Sequence, residues 1–195
     1  MEVIDTEIFG DYYNQDSDSQ EYLIINFSPS SIPRNSRWRN NGISADFLGD
    51  YFATFFPGDE IPDSKIGKQE TIKSSVSFIA NELLENAMKY SLVNTNLPVS
   101  IALYMYNEKI IFMVTNHISL ESSENYQTYI KELLSSDMDE MFTKQLMKAS
   151  SEGNSSGIGL LTIINDYGAK PGWKFQKLLN PADVVKLTIT IQLEV

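Results

Sequence analysis

Apolar residues recur at Ile72, Val76, Ile79, Leu83, Ala87 and Tyr90. At about 3.6 residues per turn these positions share one face, which predicts a long helix from about Lys68 to Leu92 with that face toward a core. Pro98 then marks the entry to two strands, Val99 to Tyr106 and Lys109 to Thr115, folded around Asn107-Glu108 as a hairpin. Upstream, Tyr22 to Phe27 reads as a strand. Ser28 to Asn41 reads as a loop rich in Ser, Pro, Asn and Arg, and Ser44 to Phe56 as a helix stopped by Pro57-Gly58-Asp59. Downstream, residues 119 to 152 contain no Gly or Pro, and their patterning predicts two short amphipathic helices, Ser123 to Ser135 and Met138 to Ser150. Small residues from Gly153 lead into the apolar run at Ile158, Leu160, Leu161, Ile163 and Ile164, a loop entering a helix that Gly168 caps. Trp173 to Leu178 and Val184 to Leu193 read as a closing hairpin. The polar, acidic residues 1 to 20 read as loop, and with no internal repeat or linker the chain reads as one domain over residues 1–195.

Composition narrows the function classes. At 195 residues with 42% hydrophobic side chains, the chain can bury a sizeable core without staples. It has no cysteine, which excludes disulfides and thiolate metal sites. A formal net charge of −11 argues against a nucleic-acid surface, since neutralising phosphates takes clustered Lys and Arg. No stretch approaches membrane-spanning length, so the expectation is a cytoplasmic protein that binds neither nucleic acid nor membrane. His117, the sole histidine, reads as structural, and Arg34, Arg37 and Arg39 around Trp38 read as a solvated loop, as do Asp59, Glu60 and Asp63.

The candidate chemistry sits on the long helix. Glu82, Asn86 and Lys89 are spaced i, i+4, i+7, so they line one stripe beside the apolar one. Asn86 offers a neutral oxygen suited to a hard cation, Lys89 a point charge for phosphate, and Glu82 a carboxylate that orients or deprotonates a nucleophile. The second segment, Ser155-Ser156-Gly157-Ile158-Gly159-Leu160, places small residues at the start of a helix, where unpaired N–H groups and the positive dipole end favour an anion.

Together, Glu82-x-x-x-Asn86-Ala87-x-Lys89-Tyr90 and Ser156-Gly157-Ile158-Gly159-Leu160 resemble the N box and second glycine box of the GHKL ATPase superfamily, the group of gyrase, MutL and the histidine kinases. The small size and Glu82 look most like the stand-alone serine/threonine kinases of bacterial partner switching, the anti-sigma-factor and SiaB-like kinases. The resemblance spans residues 70 to 193. It implies a Bergerat-type α/β two-layer sandwich, a mixed, mainly antiparallel sheet covered on one face by the helices carrying Glu82 and Leu160, with residues 119 to 152 as a lid-like insertion. It implies ATP or ADP with Mg²⁺ as cofactors, Asn86 as magnesium ligand, Glu82 as catalytic base and Lys89 as phosphate contact. Tyr90, Asn116, Ser155, Ser156, Gly157, Ile158, Gly159 and Leu160 complete the nucleotide site. The implied partner is a STAS-like anti-sigma antagonist or similar phosphoswitch protein, and the implied assembly a homodimer.

Two positions depart from the family. Its Asp-x-Gly-x-Gly, whose Asp holds the adenine amino group, is replaced by Val114-Thr115-Asn116-His117-Ile118-Ser119, and Ser155 stands where Gly often opens the second glycine box. Asn116 keeps an acceptor oxygen but not the charge, which predicts weak nucleotide binding and poor discrimination of adenine from guanine. Three readings follow: a serine/threonine kinase; a degenerate nucleotide-sensing or nucleotide-independent docking module; and the catalytic half of a histidine kinase, which would need a phosphoacceptor helix supplied elsewhere.

Overall fold

A computed structural model of the chain describes residues 2–14, 19–28, 34–57, 67–92, 97–152 and 157–195, with the side chains of 34–38 and 148–152 outside that description. In chain order the elements are β1 (Val3–Gly10), β2 (Glu21–Phe27), α1 (Arg34–Ala53), α2 (Lys68–Tyr90), β3 (Val99–Met105) and β4 (Lys109–Ser119). There follow α3 (Leu120–Ser135), α4 (Met138–Glu152), α5 (Ile158–Asn165), β5 (Lys170–Leu178) and β6 (Val184–Glu194). The six strands form one sheet in the order β1-β5-β6-β4-β3-β2, and every neighbouring pair is antiparallel. The expected α/β layering is present, but the sheet is antiparallel throughout rather than mixed.

The pleat sorts residues between two faces. On the inner face Leu23, Ile25, Ile101, Leu103, Ile110, Phe112, Val114, Leu187, Ile189 and Ile191 join one core with the helices, which include Leu48 and Phe52 of α1 and the stripe Ile72, Val76, Ile79, Leu83 and Ala87 of α2. The outer face carries a small second cluster of Ala102, Tyr104 and Ile111 with Tyr13, Tyr106 and Met113 packed against it. Sheet neighbours on that side alternate with the core set, as period-two patterning requires.

Several boundaries differ from the sequence expectation. Residues 3–10 form an edge strand where the pattern suggested loop. All but Phe9 of its side chains are exposed, so no alternation marks it, and its order comes from the backbone ladder to β5. Beyond β1, Asp11 N–H bonds Pro171 O at 2.9 Å and Tyr13 N–H bonds Thr190 Oγ1 at 3.2 Å, while Gln20 N–H, just before β2, bonds Met105 O at 2.8 Å. Helix α1 begins ten residues before the expected Ser44, taking in Arg34 to Asn41; Arg39 is exposed on it. Strand β4 runs on through Asn116 and His117 to Ser119, because β6 pairs with it along its whole length. Gly168, at φ +61°, lies beyond the end of α5, where Ala169 N–H returns to Ile163 O at 3.3 Å; the cap itself is Asp166. Asp59, Glu60 and Asp63 fall outside the described residues.

Helices α1 and α2 approach closely at Gly49, where a Cβ would overlap Ser77 Oγ and stand 2.7 Å from Lys73 O. Alanine is worth up to about 1 kcal/mol more than glycine within a helix, yet here the added methyl forces two helices apart. Gly49→Ala should therefore lower the unfolding free energy by about 1–3 kcal/mol, read from denaturant titration. A variant as stable as the parent would mean that the helices are not held at this separation.

Candidate functional site

The C-terminal end of α2 is tied to the sheet by hydrogen bonds that converge on one carbonyl. Ala87 O accepts from Ser91 N–H at 3.1 Å, from Ser91 Oγ–H at 2.6 Å and from the Asn116 side-chain N–H at 3.1 Å, while Leu92 N–H bonds His117 O at 2.8 Å. Asn116 is only 3% exposed and faces α2, so its amide nitrogen is held by Ala87 and its oxygen is the end left for a ligand. His117, its neighbour, is also buried, and burial first and then Lys186 hold its imidazole below the usual value. It does not line the cavity.

Between this corner and helices α3, α4 and α5 lies a cavity of about 480 Å³, within the range of small-molecule sites. Helix α2 contributes Asn86, Ala87 and Tyr90, β4 contributes Asn116 and Ile118, and the start of α5 contributes Gly157 and Leu160. Tyr90 was expected on the core-facing stripe. It is instead 48% exposed, because the last turn of α2 overhangs the cavity rather than the sheet. Gly157 is the N-cap residue of α5 and sits at φ +92°, in the left-handed region that favours glycine. It carries no side-chain oxygen to cap the first turn, so the N-cap residue itself leaves the N–H groups there without a side-chain acceptor.

The remaining predicted residues are nearby but do not all face the cavity. Glu82 stands one turn before Asn86, and its carboxyl packs directly on Gly159, where a Cβ would overlap it. Burial, and secondarily Glu85, raise the Glu82 pKa. Ile158 is half-buried at the head of α5. Lys89 is exposed, its ammonium 5.2 Å from the Tyr90 ring centroid, and is not among the lining residues. Ser155 and Ser156 lie outside the described residues. No charged side chain lines the cavity among the described residues, and none of their acidic and histidine side chains gather into a metal cluster.

Sequence reading missed the opposite wall. Ser122, Asn125, Tyr126 and Tyr129 of α3 line the cavity together with Gln145 of α4. Their spacing, i, i+3, i+4, i+7, was the available signal, but the stripe mixes polar and aromatic side chains and so carries no clean apolar period. On α4, read as amphipathic, the apolar residues divide: Met141 is buried and Met138 and Phe142 pack on the core, while Leu146 and Met147 are exposed. No helix of the described residues is long and apolar enough to cross a membrane. The chain has no significant match among family models, curated proteins or solved structures.

Two outcomes follow from this geometry. Because the folded-state pKa of Glu82 is raised, its contribution to stability is complete below the unfolded-state pKa and is lost as pH rises through the folded value. Glu82→Gln should therefore gain stability relative to the parent between acid and neutral pH. Gly159→Ala, which must push the carboxyl toward water, should bring the Glu82 titration back toward the ordinary range when followed by carboxyl NMR. A titration left unmoved would mean that Gly159 does not hold Glu82 in place. Asn116→Asp replaces a buried donor by an acceptor facing Ala87 O, and should cost about 1–3 kcal/mol in thermal or chemical unfolding. An Asp variant of undiminished stability would remove that hydrogen bond from the account.

Proposed function

We propose that the chain is an ATP- and Mg²⁺-dependent serine/threonine protein kinase of GHKL type, acting in the cytoplasm in bacterial partner switching on a STAS-like regulatory protein that it phosphorylates, sequesters, or both. The observation that carries this reading is convergence: Asn86 and Tyr90 from α2, Asn116 from β4 and Gly157 and Leu160 from the start of α5 border one cavity, although about seventy residues separate the first from the last. The groups fit the chemistry. Asn86 offers a neutral oxygen to Mg²⁺, the oxygen of Asn116 offers an acceptor to a base amino group, and the first turn of α5, with glycine at its N-cap, offers N–H groups to phosphate. Bound Mg-ATP would supply the transferable phosphoryl group. Glu82, beside that turn, would orient the attacking hydroxyl and take its proton, and a raised pKa makes it the better base.

A second reading has its own support. The lining residues are uncharged and Lys89 turns outward over Tyr90, features that favour a module which senses nucleotide weakly or docks its partner without it. Asn116 points the same way.

Binding and transfer separate the roles. Asn86→Ala should weaken Mg-dependent ATP binding about tenfold or more and abolish transfer with it. Glu82→Gln should bind ATP as the parent does while transfer falls roughly 10²–10⁴-fold, because a base acts mainly in the transition state. Labelled ATP and ADP titrated with and without magnesium, followed by phosphorylation of an identified partner, provide the readouts. A folded Glu82→Gln with the parental rate removes Glu82 from the mechanism, and a parent that binds no nucleotide at millimolar concentration hands the function to docking.

A further inference from the structure

Helix α3 brings two tyrosines to the cavity, and they are in different states. Tyr126 is fully anchored: its hydroxyl accepts from Trp173 Nε1–H at 3.0 Å, and its ring meets Phe175 edge-on at 6.1 Å between centroids. Tyr129, one turn on, stacks on Tyr126 with centroids 6.2 Å apart and planes 11° from parallel. That stack fixes the phenol. Its hydroxyl is nevertheless buried and without a hydrogen-bond partner among the described residues, an arrangement folds rarely retain. The oxygen is 3.5 Å from the point a Cβ on Gly157 would occupy, and Gln145 Nε2 is 3.1 Å from that same point. Burial, with Glu132 and Tyr90 adding to it, raises the Tyr129 pKa, so at neutral pH the group is a hydroxyl able to donate.

We propose that Tyr129 is a ligand-contacting residue of this site: its buried, unpartnered hydroxyl donates a hydrogen bond to a nucleotide oxygen, on the ribose or a phosphate, and so couples α3 to occupancy of the cavity. The inference rests on the nucleotide reading above and adds a contact from the wall that the two sequence motifs do not supply. It also sets function against stability, since a hydroxyl kept for a ligand is a defect in the empty protein.

Tyr129→Phe tests it by two readouts on the full chain. Without ligand, the variant should melt at the parental temperature or higher, because the orphaned group is gone and the ring stack remains. Its dissociation constants should rise roughly 3- to 12-fold if the acceptor is neutral and more than tenfold if it is a phosphate oxygen. Adenosine, ADP and Mg-ATP serve as probes. Equal losses for all three place the bond on the ribose, and a loss confined to ADP and Mg-ATP places it on phosphate. Tyr126→Phe, which breaks the Trp173 bond, should melt lower and provides the structural contrast. A Tyr129→Phe protein that melts lower, or that binds all three probes as the parent does, overturns the assignment of Tyr129 alone. A parent that binds none of them overturns the nucleotide reading, and this contact with it.

Discussion

The buried stripe of α2 fixes where that helix presents its groups to the cavity. Ile72, Val76, Ile79, Leu83 and Ala87 recur with the helical period, while Ile101, Leu103, Ile110, Phe112 and Val114 beneath them recur with the strand period, and both sets belong to one core. Burying large aliphatic side chains is worth about 1.5–3 kcal/mol each, so shifting either stripe by one position would forfeit several such terms at once. The helix is thereby locked in rotation. Asn86 and Tyr90, on the adjoining faces, are placed by a stripe of which only Ala87 reaches the cavity.

The hydrogen bonds at Ala87 refine that placement. Ala87 O takes the regular i+4 bond from Ser91 N–H, and it also accepts from the Ser91 hydroxyl and, across from the sheet, from the Asn116 amide. Asn116 therefore joins layers as well as bordering the cavity, which gives a physical reason for an amide at a position where the resemblance led one to expect an acid. A carboxylate there would present oxygen to oxygen in a buried corner. Unlike a carboxylate, the amide has a donor for the carbonyl and an acceptor for something else.

Elements held by their own side-chain periodicity were legible in the chain, and elements held by backbone pairing were not. Helix α2 and the β3–β4 hairpin advertise themselves because burial writes a period into the sequence. Strand β1 does not, since an edge strand exposed along nearly its whole length needs only ladder bonds to β5. The polar end of β4 was left out of the strand read as Lys109 to Thr115 for the same reason: nothing in Asn116 and His117 signals a strand until β6 is known to continue beside them. The two motif segments could be named in advance, but their meeting around one cavity is a property of the tertiary fold. So is the contribution of α3, whose cavity-facing stripe of serine, asparagine and two tyrosines matches neither a core nor a solvated face.

Electrostatics then decides how such a cavity deals with a polyanion. The chain carries a formal net charge of −11, and no cationic side chain of the described residues lines the cavity to offset it. A nucleotide approaching on its own would be repelled over roughly a Debye length, about 8 Å at physiological ionic strength, and would find only neutral donors once inside. On the proposed nucleotide reading, a divalent cation on the phosphates would remove two of those charges before entry and so would favour association. The neutral donors then matter more. Inside a partly dehydrated site, hydrogen bonds to charged oxygens are about twice as strong as neutral ones, and N–H groups of α5 or hydroxyls held in place by ring stacking lose little freedom in making them. A site of this type discriminates by the geometry of its donors rather than by net charge.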